Sequence, residues 1–412
     1  MKFKSITKEA INVGNATAKY FPNVESNSLY SRTIWDMQLY HGDIYLGYGN
    51  YTDNNGPVFI IKFLPGKEIV FVEDRKVIQE AVIQYITYGN ILLCGGVDPT
   101  NNNVEECGYY YKKDEIWYQP YIYTYHVPGI CAFRDSVVVC GTLGSESNVY
   151  INKLGTDVFD KIMTWKDRDI GFVNNCVNYK DEAVIVFSVD YEKAGDKKIG
   201  SYIMNIYDGQ NVVRHKYNGE GLRGGAEKRL LVYKDKILFI TSYLMRPDFA
   251  PYPLYYLDGP NDTIAKRIEM FIDSDVRDIV IKDDLCYVMT GVIRPSGDYI
   301  ASIFMTEDIV NWELVASVVL PAMPYSFEIA DAIYIGTGHV NPYAKPDKMI
   351  LDKDAGSIYR AELPEVSVPS TPPVIVPKHT ITVSSSLIKV NTSLILDISG
   401  VELQIDFNRI DK

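Results

Sequence analysis

The sequence predicts an all-β protein made of repeated four-stranded units, and three observations support this prediction. A short motif, in which a Gly or Asp turn separates two apolar runs, recurs at near-constant spacing along the chain. Tyr, which favours strands, is abundant, with 32 Tyr against 15 Phe and 4 Trp. No stretch of ten or more residues shows a convincing helical periodicity of apolar residues.

The first copy of the motif is "LYHGDIYLGYG", where Gly42 and Asp43 separate two apolar runs. A Gly-Asp pair in this setting favours a tight hairpin, because Gly adopts positive φ without steric cost. Seven copies have their turns at positions 42, 89, 135, 181, 235, 283 and 331, which are 47, 46, 46, 54, 48 and 48 residues apart. The second half of the first period, "GPVFIIKFLPGKEIVFVED", predicts another strand, turn and strand. Each period therefore predicts four short strands.

Four antiparallel strands in every 40 to 50 residues are typical of a propeller blade, which buries its faces against neighbouring blades in a closed ring. We predict a β-propeller over residues 1–363, with seven blades favoured and six as the alternative. The last period, "MILDKDAGSIYRAEL", is short. We therefore expect the N-terminal segment "ITKEAINVGNATAKY" to supply its closing strand.

A Pro-rich segment and a short tail follow the repeats. Residues 364–378 contain five prolines, which favour an extended, semi-rigid linker. Residues 379–412 alternate apolar and polar positions, as in "LIKVNTSLILDI", and predict two or three strands. Such a short segment cannot easily bury its own core, so we expect it to mediate assembly with itself or with another protein. The alternative is that it folds back onto the propeller.

Composition excludes several classes of function. The net charge is −12 and no run of Lys and Arg supplies a basic face, so we expect no nucleic-acid binding. The opening residues lack the apolar core of a secretion signal, and no apolar run is long enough to insert in a membrane. The six Cys form no CxxC pair and mostly lie in apolar runs, which predicts buried free thiols. We expect no metal and no cofactor.

The candidate binding residues lie in the loops that follow the second strand of each hairpin, which a propeller gathers on one face around its channel. These loops mix Tyr with Asn, Asp, Gly and Arg, a composition suited to recognising polar surfaces such as glycans. Ordinary hairpin-loop chemistry also favours Asn, Asp and Gly. The candidates are Tyr51, Asn54, Asn55, Asp98, Asn102, Arg246, Asp248, Tyr252, Arg294, His339, Asn341 and Tyr343.

Catalytic motifs are absent from the sequence. No nucleophile elbow, P-loop or H-E-x-x-H occurs, and no pair of carboxylates is singled out for glycoside hydrolysis. The segment "MTEDIVNWEL" (305–314) resembles the Asp-box turn of sialidase-type propellers and a turn of five-bladed glycoside hydrolases. That turn has a structural role, in which the Asp caps a tight turn and the Trp packs between strands. We therefore expect a protein that is not an enzyme.

The chain resembles the β-propeller proteins that carry "G-D-x-I-Y-x-G" hairpins and degenerate Asp-box turns. An acidic, Tyr- and Asn-rich propeller joined by a Pro-rich linker to a strand-forming tail is similar to virion proteins of tailed bacteriophages, such as tail-fibre or receptor-binding components. This resemblance implies a structural and binding protein of the virion, made in the host cytoplasm, whose partners are a host-surface glycan or neighbouring virion proteins. The alternatives are a glycan-cleaving propeller enzyme and a cellular protein-interaction scaffold.

Overall fold

The computed structural model describes residues 7–22, 31–49, 56–100, 107–167, 171–194, 197–222, 226–242, 252–271, 275–339 and 354–363. The chain divides into two compact units, Met1–Val366 and Ser367–Lys412. The predicted linker (364–378) and tail (379–412) lie outside the described residues.

The described residues form strands, and one 3₁₀ turn at Glu269–Phe271 is present. Two N-terminal strands are β1 (Thr7–Lys8) and β2 (Ile11–Asn15). The strands of units 1 to 4, four in each, are β3 (Asp36–Tyr40), β4 (Asp43–Gly49), β5 (Phe59–Phe63), β6 (Val72–Lys76), β7 (Gln79–Tyr88), β8 (Ile91–Pro99), β9 (Tyr109–Lys113), β10 (Ile116–Tyr118), β11 (His126–Phe133), β12 (Ser136–Leu143), β13 (Glu146–Lys153), β14 (Phe159–Trp165), β15 (Gly171–Tyr179), β16 (Ala183–Ala194), β17 (Lys197–Tyr207) and β18 (Val212–Gly219). Those of units 5 to 7 are β19 (Ala226–Tyr233), β20 (Lys236–Ser242), β21 (Leu254–Leu257), β22 (Ile264–Arg267), β23 (Asp275–Lys282), β24 (Leu285–Ile293), β25 (Tyr299–Thr306), β26 (Glu313–Leu320), β27 (Met323–Ile329), β28 (Ile333–Gly338) and β29 (Ser357–Ala361).

Within each unit the strands pair antiparallel in chain order, as the four-strand period predicts. The first strand of each unit contacts the first strand of the next, and β27 contacts β3, so these strands surround a central channel. Apolar side chains fill the spaces between neighbouring units, as in the cluster that Val138, Cys140, Val184 and Val186 share. The all-β propeller predicted from the sequence is confirmed.

The predicted hairpin turns are where the repeat placed them. Gly42 has φ 88° and Gly89 has φ 55°, and later turns use non-Gly residues with positive φ, such as Arg134 (57°) and Lys234 (54°). The loops predicted after the second strand of each hairpin start later in the chain than expected in units 3, 4 and 6. Residues 141–143 lie in β12, 188–194 in β16 and 291–293 in β24, because these strands continue into the turns to β13, β17 and β25.

Tyr side chains link neighbouring units, which accounts for part of the Tyr content. Three Tyr end the first strand of their units, and each donates its hydroxyl to a carbonyl oxygen in the hairpin turn of the next unit. These bonds are Tyr40 to Asn90 (2.7 Å), Tyr179 to Asp235 (3.2 Å) and Tyr233 to Asp284 (2.8 Å). Each ring thus packs in the apolar core, while its hydroxyl supplies a hydrogen bond to a backbone carbonyl oxygen of the turn.

All six Cys are buried and unpaired, as predicted. No helix of the described residues is long and apolar enough to cross a membrane.

The N-terminal strand completes unit 7, which confirms the expectation drawn from its short last period. β2 pairs antiparallel with β29 and thereby adds the fourth strand beside β27 and β28. We call the pairing of β2 with β29 the seam. Asn15 stabilises it, because its Nδ2 donates to the carbonyl oxygen of Ala355 at 2.8 Å while its Oδ1 accepts from Ala18 N at 2.8 Å.

Gly356 is the tightest point of this seam, and replacing it with Ala is expected to destabilise the protein by about 3 kcal/mol. Its φ is +86°, and an added Cβ would lie 2.1 Å from Thr17 Oγ1. Gly297→Ala is the matched control, because Gly297 has φ +89° with open space around it. Thermal unfolding of both variants measures the difference. Equal losses of stability would contradict the packing argument.

Candidate functional site

Eight of the twelve predicted binding residues lie outside the described part of the chain: Tyr51, Asn54, Asn55, Asn102, Arg246, Asp248, Asn341 and Tyr343. The structure places the other four, Asp98, Tyr252, Arg294 and His339.

Tyr252 and His339 are connected through one group of residues at the loop end of units 5, 6, 7 and 1, which we call the loop-end cluster (Trp35, Tyr252, Arg277, Tyr325 and His339). The Arg277 guanidinium lies between two rings, 5.1 Å from the centroid of Tyr252 and 5.4 Å from that of Tyr325. Tyr325 packs edge-to-face on Trp35 at 5.3 Å and donates its hydroxyl to the carbonyl oxygen of His339. The cluster combines a cation with three aromatic rings, and His339 joins it through its backbone carbonyl oxygen.

His339 is the unusual member of the cluster. Its side chain is buried with 0% exposure, and neither ring nitrogen has a hydrogen-bond partner among the described residues. Burial lowers the pKa of His339, so the imidazole is neutral at neutral pH and offers one donor and one acceptor. A buried polar group left unpaired costs roughly 1–3 kcal/mol, so this side chain is a place where a polar ligand group would be stabilised.

Backbone and carboxylate contacts hold the rest of the cluster in place. Trp35 donates its indole N–H to the carbonyl oxygen of Gly49 at 2.9 Å. Arg277 donates to Asp275 Oδ2 at 2.7 Å, and Asp275 Oδ1 accepts from the backbone N of Tyr252 at 3.1 Å. Sequence reasoning missed Arg277, because a β-bulge between Val276 and Asp278 breaks the in-out alternation that locates side chains along a strand.

Asp98 and Arg294 make their polar contacts elsewhere. Asp98 lies in β8 and not in a loop, which corrects the prediction, and it is 3.2 Å from His126 Nδ1. Burial raises the pKa of Asp98 to about 6. Arg294 lies in the turn between β24 and β25 and pairs with Asp298 at 3.1 Å, exposed to solvent. Neither residue belongs to the loop-end cluster.

A second polar group lies in the central channel. The channel holds a cavity of about 540 Å³ whose wall includes residues from the first strand of every unit. One residue from each of these strands is Met37, Tyr85, Cys131, Val177, Arg229, Ile279 and Glu328. Four charged residues of this region, which we call the channel charge cluster, are Asp36, Arg229, Asp278 and Glu328.

The channel charge cluster joins distant units of the ring. Arg229 on β19 contacts Asp36 Oδ1 on β3 at 2.5 Å and also Asp278 Oδ1 on β23. The carboxylates accept backbone N–H bonds from the units that follow: Asp36 Oδ2 from Tyr85 (2.5 Å), Asp278 Oδ2 from Phe327 (2.9 Å) and Glu328 Oε2 from Leu39 (2.7 Å). All three carboxylates are buried, so the cluster serves as a cross-link between units.

Burial also controls protonation in the channel. It raises the pKa of Asp36 to about 6, against the opposing effect of Arg229, and it raises the pKa of Glu328 to about 7. Sequence reasoning did not single out this cluster, although a signal exists. Asp36, Arg229 and Asp278 each lie four residues before the last residue of their strands, so aligning the repeats would have put them at one level of the channel.

The turn at Asp308 has the geometry expected of a structural cap. Asp308 Oδ1 accepts from the backbone N of Val310 at 2.9 Å and of Asn311 at 2.8 Å. These bonds, that of Asn311 first, lower the pKa of Asp308 to about 2. Trp312 packs against Phe271, with ring centroids 4.9 Å apart. The described residues contain no group of His, Cys, Asp and Glu that could hold a metal ion.

Comparisons with known proteins return structural neighbours only. No protein-family model matches the chain, and no curated protein matches it. Among solved structures it is similar to a prolyl endopeptidase (10% identity, TM-score 0.44), covering 78% of this chain and 50% of that one. It is similar to the β-propeller domain of the Trilobed protease from Pyrococcus furiosus (9% identity, TM-score 0.44), covering 74% and 91%. It is also similar to a Penicillium chrysogenum α-L-arabinanase (11% identity, TM-score 0.41), and the match covers 87% of this chain and 98% of the arabinanase.

The chain thus spans half the length of the prolyl endopeptidase that it matches. Identities near 10% transfer no activity from any of these proteins.

Proposed function

We propose that this protein is a non-catalytic recognition module of a tailed-bacteriophage virion. Its loop-end cluster binds a polar ligand, a host-surface glycan, and residues 379–412 mediate assembly with other virion proteins. The virion assignment is supported by the sequence-level resemblance, in which an acidic propeller precedes a Pro-rich linker and a strand-forming tail. The observation that carries the binding role is the buried imidazole of His339, whose two nitrogens have no hydrogen-bond partner among the described residues.

The chemistry of the cluster suits a sugar. A sugar hydroxyl both donates and accepts, which matches the one donor and one acceptor of neutral His339. The half-buried rings of Trp35 and Tyr252 offer apolar faces to the C–H surfaces of a pyranose, and the buried Tyr325 packs against Trp35. Arg277, fixed by Asp275 and two rings, adds a pre-organised donor group without side-chain ordering cost.

The channel supports a binding role over a catalytic one. Hydrolysis of a glycoside requires carboxyl groups that reach the substrate. Asp36, Asp278 and Glu328 are instead buried and directed at backbone N–H groups of neighbouring units or at Arg229.

A glycan-cleaving enzyme is the second candidate, and one observation favours it. Glu328 lines the channel cavity and Asp36 lies in the same charge cluster, with pKa values raised to about 7 and about 6, which suits general acid catalysis at neutral pH. Incubation of the wild-type protein with the glycan that it binds, followed by analysis of reducing ends, separates the two candidates. Cleavage that Glu328→Gln abolishes would replace the binding proposal with the enzymatic one.

Replacing His339 with Leu is expected to abolish glycan binding while raising the melting temperature. Leu removes two unsatisfied polar atoms from a buried site, which stabilises the fold by about 1 kcal/mol, and it removes the hydrogen bonds to ligand. A glycan array identifies the ligand, and calorimetry measures a loss of affinity of at least about tenfold.

His215→Leu, on the outer strand β18, is the matched control and should bind as the wild type. Unchanged glycan binding by His339→Leu would overturn the proposal. Failure of the wild type to bind any glycan on the array would do so as well, and a neighbouring virion protein would then become the expected ligand of the loop face.

A further inference from the structure

A second surface of the protein has an unusual composition. Residues 117–125, "WYQPYIYTY", contain five aromatic residues in nine and no charged residue, in a chain in which 23% of residues are charged. This segment begins in β10, the outer strand of unit 2, and leads to β11. We call Tyr118, Tyr121 and Tyr123 the tyrosine surface.

The tyrosine surface faces solvent. Tyr118, Tyr121 and Tyr123 are 41%, 54% and 59% exposed, whereas the neighbouring Ile122 and Thr124 are buried. Most described Tyr side chains are buried or half-buried, so this concentration of exposed rings is local. Exposed aromatic side chains that cluster in this way mark interaction sites.

The segment is fixed, so its rings are held in place before any ligand binds. Ile122 N donates to the carbonyl oxygen of Cys107 at 2.8 Å. Thr124 Oγ1 donates to the carbonyl oxygen of Thr142 at 2.9 Å. The ring of Tyr118 stacks on the buried ring of Tyr111, with centroids 4.7 Å apart and planes at 12°. Such pre-organisation reduces the entropy that binding costs.

The hydroxyl groups of the tyrosine surface are not used within the described protein. The hydroxyls of Tyr118, Tyr121 and Tyr123 have no hydrogen-bond partner among the described residues, in contrast to Tyr40, whose hydroxyl bonds to Asn90. Each ring therefore presents an apolar face together with a free polar rim.

We propose that the tyrosine surface is a binding site for a neutral polysaccharide. Pyranose rings combine apolar C–H faces with hydroxyl rims, which is the chemistry that stacked Tyr side chains complement. Tyr121 and Tyr123 lie two residues apart in the connection between β10 and β11, and both rings are exposed to a ligand. The uncharged segment and the net charge of −12 disfavour polyanions such as nucleic acids and phosphate-rich polymers.

This inference extends the proposed recognition function to a second, independent site. The test uses the full chain and a panel of probes: dextran, galactomannan and mixed-linkage β-glucan as neutral polymers, and alginate as an anionic one. Affinity electrophoresis measures retardation in gels that contain each polymer. We expect at least one neutral polymer to retard the wild type, and the double variant Tyr121→Ala/Tyr123→Ala to lose at least about tenfold in affinity.

Two controls make the result specific. The double variant Tyr121→Phe/Tyr123→Phe keeps the rings and should stay within about threefold of the wild type. Val158→Ala/Val213→Ala removes exposed apolar groups of units 3 and 4 and should not change binding. The glycan array with His339→Leu tests the loop-end cluster and the gel assay with the Tyr variants tests the tyrosine surface, so either proposal can fail while the other stands.

Three results would overturn the inference: no retardation by any neutral polymer, equal retardation of the alanine variant, or stronger retardation by alginate than by the neutral polymers. A change in oligomeric mass of the alanine variant would instead assign the tyrosine surface to self-association.

Discussion

Replacing Arg229 with methionine is expected to lower the free energy of unfolding by about 3–5 kcal/mol, the largest effect of any single substitution considered for this fold. The change leaves Asp36 and Asp278 buried with no opposing charge. Arg229 is the point at which units 1, 5 and 6 meet across the channel, so losing it weakens several inter-unit contacts together. Urea and thermal unfolding, followed by circular dichroism, measure the change.

A triple variant provides the control for this prediction. Arg229→Met combined with Asp36→Asn and Asp278→Asn removes both charges along with the cation, and we expect it to recover much of the lost stability. The carboxamides keep an oxygen that can accept from Tyr85 N and Phe327 N. Comparable losses in the single and triple variants would mean that the guanidinium acts through packing and not through charge.

The second large effect is a loss of stability as pH rises from about 5 to about 8, caused in part by Glu328. Burial raises the pKa of this carboxyl from 4.5 to about 7 in the folded protein, although Ile329 N and Leu39 N donate to it. The folded state therefore binds more protons than the unfolded state between these values, and the unfolding free energy falls as pH rises through that window. The contribution is on the order of 3 kcal/mol and is complete above about pH 7.

Glu328→Gln tests the assignment, because an amide does not titrate. We expect the slope of melting temperature against pH to become shallower in this variant, whatever its absolute stability. Asp36, with its pKa raised to about 6, keeps a smaller slope of the same sign. Glu182→Gln removes an exposed carboxyl in the unit 4 hairpin turn and should leave the slope unchanged. An unaltered slope in Glu328→Gln would place the titrating group elsewhere.

The sequence predicted the architecture well because the repeat is a local property. Each hairpin is specified by neighbouring residues, such as Gly42 between two apolar runs, and the short last period pointed to the N-terminal strand as its partner. Those signals need no knowledge of the third dimension. The spacing alone was sufficient to place the turns at Gly89 and Asp235.

The candidate site was harder to predict, since its side chains come from different units. Trp35 and Tyr325 are 290 residues apart in sequence. A β-bulge at Arg277 also interrupts the alternation of inward and outward side chains along β23, so that alternation does not place Arg277 in the cluster. The pattern of Asn, Asp and Gly led to Asp98, which lies in a strand. To predict the channel charge cluster from the sequence, the repeats would have to be aligned position by position along their first strands. Comparing the composition of the loops does not reveal it.

The seam between β2 and β29 has a consequence for how the chain is made. Asn12 and Tyr359, which share a hydrogen bond across this seam, are 347 residues apart. On the ribosome, the hairpins of units 1 to 6 can form as their residues emerge, because each pairs with its neighbour in sequence. The N-terminal strand has no partner until nearly all of the propeller has been synthesised. Strand β2 therefore leaves the ribosome well before its partner β29 and is among the last strands to pair, so the ring keeps an open edge until β29 has been made.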